Sequence, residues 1–179
     1  LLRDVPNLEI AIATTPEEAL RHAADADVIY ARPTRELLAV TKARWIQSPS
    51  AGVDFLLGLP ELVESDIILT NTRGAHGPSI AEHVFALLLA LTRCLPTCLE
   101  WQKAHHWGRA EGYRLPREIK GSTMGIIGYG AIGRSVAQRA AAFEMTVLAV
   151  DAVPGSGSPY CAEVWPVDRL ADLLHASDV

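Results

Sequence analysis

Short apolar runs alternate with helical stretches along this chain. Residues 8–13, 27–31, 44–47 and 66–71 are each brief and centred on β-branched or aromatic residues. Each reads as a strand, and such runs suit a parallel sheet covered on both faces. Between them, Thr15-Pro16-Glu17-Glu18 forms a capping box that opens a helix to about residue 24. Thr34 caps a shorter helix through residue 40. A long helix begins near Pro78-Ser79, with Ser79 and Glu82 as a second capping box, and runs to about residue 94, where Pro96 ends it. A second helical stretch carries Trp101, and a polar loop with Trp107-Gly108 and Pro116 follows. The pattern then resumes: strand 122–127, helix 131–144, strand 145–150, a Gly/Pro/Ser loop at 154–159, and a last helix at 168–175. Residues 178–179 read as the start of another strand. This alternation on both sides of the long helix predicts an α/β protein of two parallel-sheet units, with the helix as hinge.

Composition narrows the function classes. The 179 residues are 49 % apolar and 21 % charged, which is too apolar for a disordered chain and enough for a core without disulfides or metals. The net charge of −5 argues against a nucleic-acid surface, which needs clustered Lys and Arg. The longest unbroken apolar run, 84–91, is far short of the roughly 20 residues of a spanning helix, so no membrane partner is expected. Cys94, Cys98 and Cys161 cannot all pair with one another and read as free thiols of a reducing compartment. The Cys94/Cys98 spacing suits one helix face, but Pro96 and the lack of further ligands argue against a metal. No basic-then-apolar leader is visible, so the expected compartment is the cytoplasm. The chain opens without Met on Leu1-Leu2, and both ends read as cut.

The chemistry concentrates at Gly128-Tyr129-Gly130-Ala131-Ile132-Gly133, a GxGxxG that follows a strand and opens a helix. Gly128 permits the tight turn, Gly130 lets a pyrophosphate approach the backbone, and Gly133 lets helix and strand pack closely. The Ala131 and Ile132 amides are expected to face the phosphates from the positive helix end. Asp151 lies 18 residues past Gly133, at the end of the next strand. An acid there binds the adenosine ribose hydroxyls and repels a 2′-phosphate. Ala152 and Val153 follow it, with no Arg for that phosphate, so the expected cofactor is NAD rather than NADP.

Further motifs carry a resemblance. Ser50-Ala51-Gly52-Val53-Asp54, Asn71-Thr72-Arg73-Gly74, Ala81-Glu82-His83 and the run from Gly121 through Gly133 resemble the D-isomer-specific 2-hydroxyacid dehydrogenases, in order and spacing over nearly the whole chain. The resemblance implies a flavodoxin-like substrate domain at 1–78, lacking its first strand. It implies a Rossmann NAD-binding domain at 79–179, beginning with the long hinge helix and lacking its C-terminal half. It places the substrate carboxylate on the backbone of Ala51, Gly52 and Val53, where a glycine lets two amides face one anion. It places Ser79 near the nicotinamide. His76, just before the helix, is a candidate for the substrate cleft, with an exposed loop histidine as the competing reading. Trp101, His105, His106 and Trp107 fall where the family often builds a homodimer contact.

The family's chemistry uses an Arg that clamps the 2-oxo acid and a Glu–His pair that moves the hydroxyl proton as hydride passes to or from the nicotinamide. These are expected beyond Val179, so no catalytic residue is carried onto this chain, and the 179 residues alone are expected to be inactive. The implied activity is an NAD-dependent interconversion of a small 2-oxo acid and its D-2-hydroxy acid. An NAD-sensing corepressor-type protein and a formate or phosphonate dehydrogenase are the alternatives.

Overall fold

Thr15 and Thr34 open the first two helices as the sequence predicts. The Thr15 hydroxyl accepts from the Glu18 amide at 3.2 Å, and that of Thr34 from the Leu37 amide at 3.3 Å. Glu18 reaches back to Thr14 rather than Thr15, accepting from its amide and its hydroxyl, both at 2.9 Å. The computed structural model describes residues 6–112 and 116–179. It divides into two units, Leu1–Ala75 and His76–Val179.

The first unit contains α1 (Pro16–Ala23), β1 (Val28–Tyr30), α2 (Arg35–Val40), β2 (Trp45–Gln47), a 3-10 turn (Asp54–Gly58), α3 (Pro60–Val63) and β3 (Ile68–Thr70). The strands form a parallel sheet in the order β1-β2-β3, with Ile29 beside Ile46 and Ile46 beside Leu69. Ile46 is fully buried, and Ala23, Leu37, Leu56 and Leu62 close around it. The expected strand at 8–13 does not form. An extended segment becomes a strand only when a neighbour takes up its amides and carbonyls, and this stretch pairs with none of the three strands. Its Leu8, Ile10 and Ile12 are exposed.

The second unit begins with α4 (Gly77–Thr92), α5 (Leu95–Lys103) and the short α6 (Arg109–Gly112). The long helix starts earlier than predicted, with His76 at the N-cap and Pro78 in the first turn. Ser79 therefore lies inside the helix, and its hydroxyl donates to the His76 carbonyl at 3.2 Å instead of capping. Glu82 is free of any capping role and pairs with Arg139 at 3.3 Å. Pro96 does not end α4. The break is Cys94, left-handed at φ 54°, and Pro96 sits in the first turn of α5, where its missing N–H costs nothing. The two helices meet at a bend of 62°.

Then come β4 (Thr123–Ile127), α7 (Ala131–Ala142), β5 (Thr146–Val150), β6 (Gly155–Ser158), β7 (Cys161–Trp165), a 3-10 turn (Val167–Arg169) and α8 (Leu170–Ala176). The sheet order is β4-β5-β7-β6, parallel except for the antiparallel edge β6. The predicted loop at 154–159 is thus partly a hairpin strand. Gly157 allows this, because a Cβ there would run into the Cys161 carbonyl across the pair. At the other edge the Asp178 amide donates to Thr123 O at 2.9 Å, and Gly125 donates to Val179 O at 2.8 Å. Helix α4 packs on α7 through Phe85, which stacks on Phe143 with ring centroids 5.1 Å apart. Ala81, Val136, Ala137, Ala140, Met124 and Val147 belong to the same core.

Candidate functional site

The end of β4 turns into α7 through Gly128, whose φ of 92° is open to glycine and strained for other residues. A Cβ on Gly133 would collide with the Gly128 carbonyl, so the turn and the first helical turn need a glycine to pack together. At Gly130 a Cβ would meet no atom within 4 Å, so the space above the turn is open. Gly130 caps α7 without a side-chain hydrogen bond. The Ala131 and Ile132 amides follow in the first turn, where no intrahelical acceptor exists, and both residues are exposed. Exposed amides at the positive end of a helix form a receptor for an anion.

Asp151 stands beside this turn at the end of β5. Its Oδ2 accepts from the Tyr129 amide at 2.6 Å and its Oδ1 from the Val153 amide at 2.9 Å. The Val153 amide first, and then that of Tyr129, holds the carboxyl below the usual aspartate range. The charged form is therefore favoured by folding. This contribution is present above the unfolded-state value and is lost only as pH falls through the lower folded-state value. Titration of this carboxyl by NMR is expected to give a midpoint below 3.8, the ordinary value. A midpoint at or above it would mean that the amide bonds do not persist in solution.

The Tyr129 side chain is buried, and its hydroxyl is 2.6 Å from Ser158 Oγ on β6. The glycine-rich turn is thereby tied to the edge hairpin. Arg134 lies on the first turn of α7 with its Cζ 4.8 Å from the Tyr129 ring centre. The sequence shows no cation directly after Asp151, but Arg134 shares Tyr129 with it: the Tyr129 amide bonds the carboxylate and the Tyr129 ring lies under the guanidinium. Cys161, at the start of β7, is buried, and burial pushes its thiol upward and keeps it protonated.

In the first unit, Ala51, Gly52 and Val53 follow β2. Among the described residues none of their three amides donates a hydrogen bond. The loop is held by other groups: Asn71 Nδ2 donates to Ala51 O at 3.0 Å, and the Thr72 hydroxyl to Pro49 O at 2.9 Å. A cavity of about 330 Å³ is lined by Val53, Leu69, Thr70 and Asn71. His76 and Ser79 lie together at the start of α4, both exposed. Among the described residues no three His, Cys, Asp or Glu are placed to hold a metal.

Residues 85–179, which include the glycine-rich turn and Asp151, match the D-isomer specific 2-hydroxyacid dehydrogenase family in its NAD binding domain. The chain belongs to this family. It is 33 % identical to a D-3-phosphoglycerate dehydrogenase of Methanocaldococcus jannaschii, over 84 % of this chain and 29 % of that protein. It resembles the structure of a D-isomer specific 2-hydroxyacid dehydrogenase family protein from Aeromonas salmonicida, with TM-score 0.87 and 34 % identity over 99 % of this chain and 56 % of that one. It also resembles the D-lactate dehydrogenase of Aquifex aeolicus complexed with NAD and lactic acid, with TM-score 0.68 and 28 % identity over 92 % and 49 % of the two chains. The chain thus spans about half or less of the length of these relatives.

In this dehydrogenase family member the glycine turn and Asp151 adjoin as the motif spacing predicts, and two contacts of that turn have no counterpart in the sequence reading. The Tyr129–Ser158 bond depends on a hairpin hidden in a Gly/Pro/Ser stretch. Arg134 had a local signal, one residue past the last glycine of the motif, but only the fold sets it over Tyr129.

Proposed function

We propose that the protein is an NAD-dependent oxidoreductase that interconverts a small 2-oxo acid and its D-2-hydroxy acid. The observation that carries this reading is the Asp151 carboxylate, fixed as an anion by two amides beside an uncapped, glycine-lined helix start. Residues 1–78 then belong to a flavodoxin-like substrate domain and 79–179 to a Rossmann NAD-binding domain.

The residues of this chain bind and orient. Ala131 and Ile132 offer amides to the pyrophosphate, which can approach over Gly130. Asp151 keeps one further lone pair on each oxygen for the two ribose hydroxyls. Bound NAD supplies the hydride acceptor, or as NADH the donor. The Ala51, Gly52 and Val53 amides hold the substrate carboxylate, which fixes the 2-carbon for attack from one face. Ser79 is the residue proposed for the nicotinamide and His76 the one proposed for the substrate; both are exposed at the start of α4. No residue here is assigned the proton transfer.

We propose further that the protein works in the cytoplasm as a homodimer. No single described helix is long and apolar enough to cross a membrane. Leu87 and Leu91 on α4, Leu95 and Leu99 on α5, and Trp107 are large apolar side chains left exposed. Exposed apolar side chains of this kind are what a second copy would cover. In the intact protein, NADH oxidation is expected with glyoxylate, pyruvate or hydroxypyruvate, with the D-isomer as product of the latter two, and sedimentation is expected to give a dimer. NADH binding without turnover on any 2-oxo acid would favour the cofactor-sensing reading instead.

A further inference from the structure

We propose that Arg134 is a cofactor-selectivity residue, which offers a cation to the 2′-phosphate that the Asp151 carboxylate repels. The inference rests on the reading that the turn 128–133 holds a dinucleotide.

Three observations support it. Tyr129 is the common neighbour of the two charges: its amide bonds Asp151 at 2.6 Å, and its ring lies under the Arg134 guanidinium at 4.8 Å. The ring is a fixed platform, since Tyr129 is buried and its hydroxyl is tied to Ser158 at 2.6 Å. A guanidinium resting on such a ring is partly ordered before any ligand arrives. Finally, Arg134 is uncommitted: it is exposed and, among the described residues, forms no ion pair.

The consequence is a graded preference rather than an absolute one. Asp151 favours NAD by accepting from the 2′-hydroxyl and repelling a phosphate in its place. A planar guanidinium nearby presents donors suited to a phosphate and weakens that repulsion. Asp151 therefore fixes the direction of the preference, and Arg134 limits its size.

The test is a double-mutant cycle in the intact protein, titrated with NADH and NADPH and read by nucleotide fluorescence. The quantity that matters is the ratio of the two dissociation constants. Asp151→Asn is expected to move the ratio toward NADPH by about tenfold or more. Arg134→Ala in that background is expected to take back about tenfold, acting on NADPH alone, and Arg134→Lys to keep part of the gain. In the otherwise unchanged protein, Arg134→Ala is expected to sharpen the preference for NADH, less so at high salt. If Arg134→Ala shifts both constants by the same factor in both backgrounds, the residue only packs on Tyr129 and this proposal is overturned. If the unaltered protein binds neither nucleotide, the cofactor reading itself fails, and this proposal with it.

Discussion

Gly130→Ala and Gly133→Ala are expected to fail in opposite ways, although both change the same motif by one methyl group. At Gly133 the new Cβ, whose position the backbone fixes, meets the Gly128 backbone carbonyl, so no rotamer change can relieve the contact. The helix must shift away from β4, at a cost of about 3 kcal/mol, and the turn loses its shape. The melting temperature should fall by several degrees and nucleotide binding should fall with it. At Gly130 the Cβ meets nothing within 4 Å and the backbone is extended, at φ −77° and ψ −156°, which alanine adopts freely. Stability should hold or rise by about 0.5 kcal/mol, since alanine restricts the unfolded chain. Yet the methyl group occupies the approach of the pyrophosphate, and displacing that anion from two amides should weaken NADH by about a hundredfold. Thermal unfolding and fluorescence titration of the two variants separate the effects. A Gly130→Ala protein that binds NADH normally would show that the open space is not a phosphate path.

Asp151→Ala is expected to weaken NAD by about a hundredfold and NADP by far less. Two hydrogen bonds from ribose hydroxyls to a charged acceptor are lost with NAD. With NADP one of those partners is a phosphate that the carboxylate repels, so the same change removes a penalty as well as a bond. The substitution also frees the Tyr129 and Val153 amides, which loosens the turn for either cofactor and sets a common background loss. Calorimetric titration with both nucleotides resolves the common loss from the specific one. Equal loss for both would leave Asp151 as a brace for the turn and remove its role at the ribose.

The residues of the glycine turn were legible because their roles are set by backbone geometry, which a motif encodes directly: a positive φ at Gly128, a close approach at Gly133. The Thr15 and Thr34 caps were legible for the same reason, since each acts within three residues of itself. What needed longer reach was not. Residues 8–13 carry a strand composition, but composition does not supply a neighbour to pair with. Gly155–Ser158 has little strand propensity and pairs because β7 lies opposite it. The start of α4 is not legible in the sequence because a Ser–x–x–Glu pattern also fits residues already inside a helix, and only the observed backbone shows that His76 comes first. The sequence points to the conspicuous Pro96 as the break after α4, whereas the chain turns at Cys94, two residues earlier.

The antiparallel β6 has an effect on the sheet beyond holding Tyr129. It is short, built from Gly and Ser, and closes the β7 side with a strand running against the others. A flat, apolar, parallel edge there would be a template for another chain, and this one is a poor template. The opposite edge, β4, is already engaged by residues 178–179 in Thr123 and Gly125 bonds. Neither edge of the sheet therefore presents a bare, regular row of backbone groups to another chain.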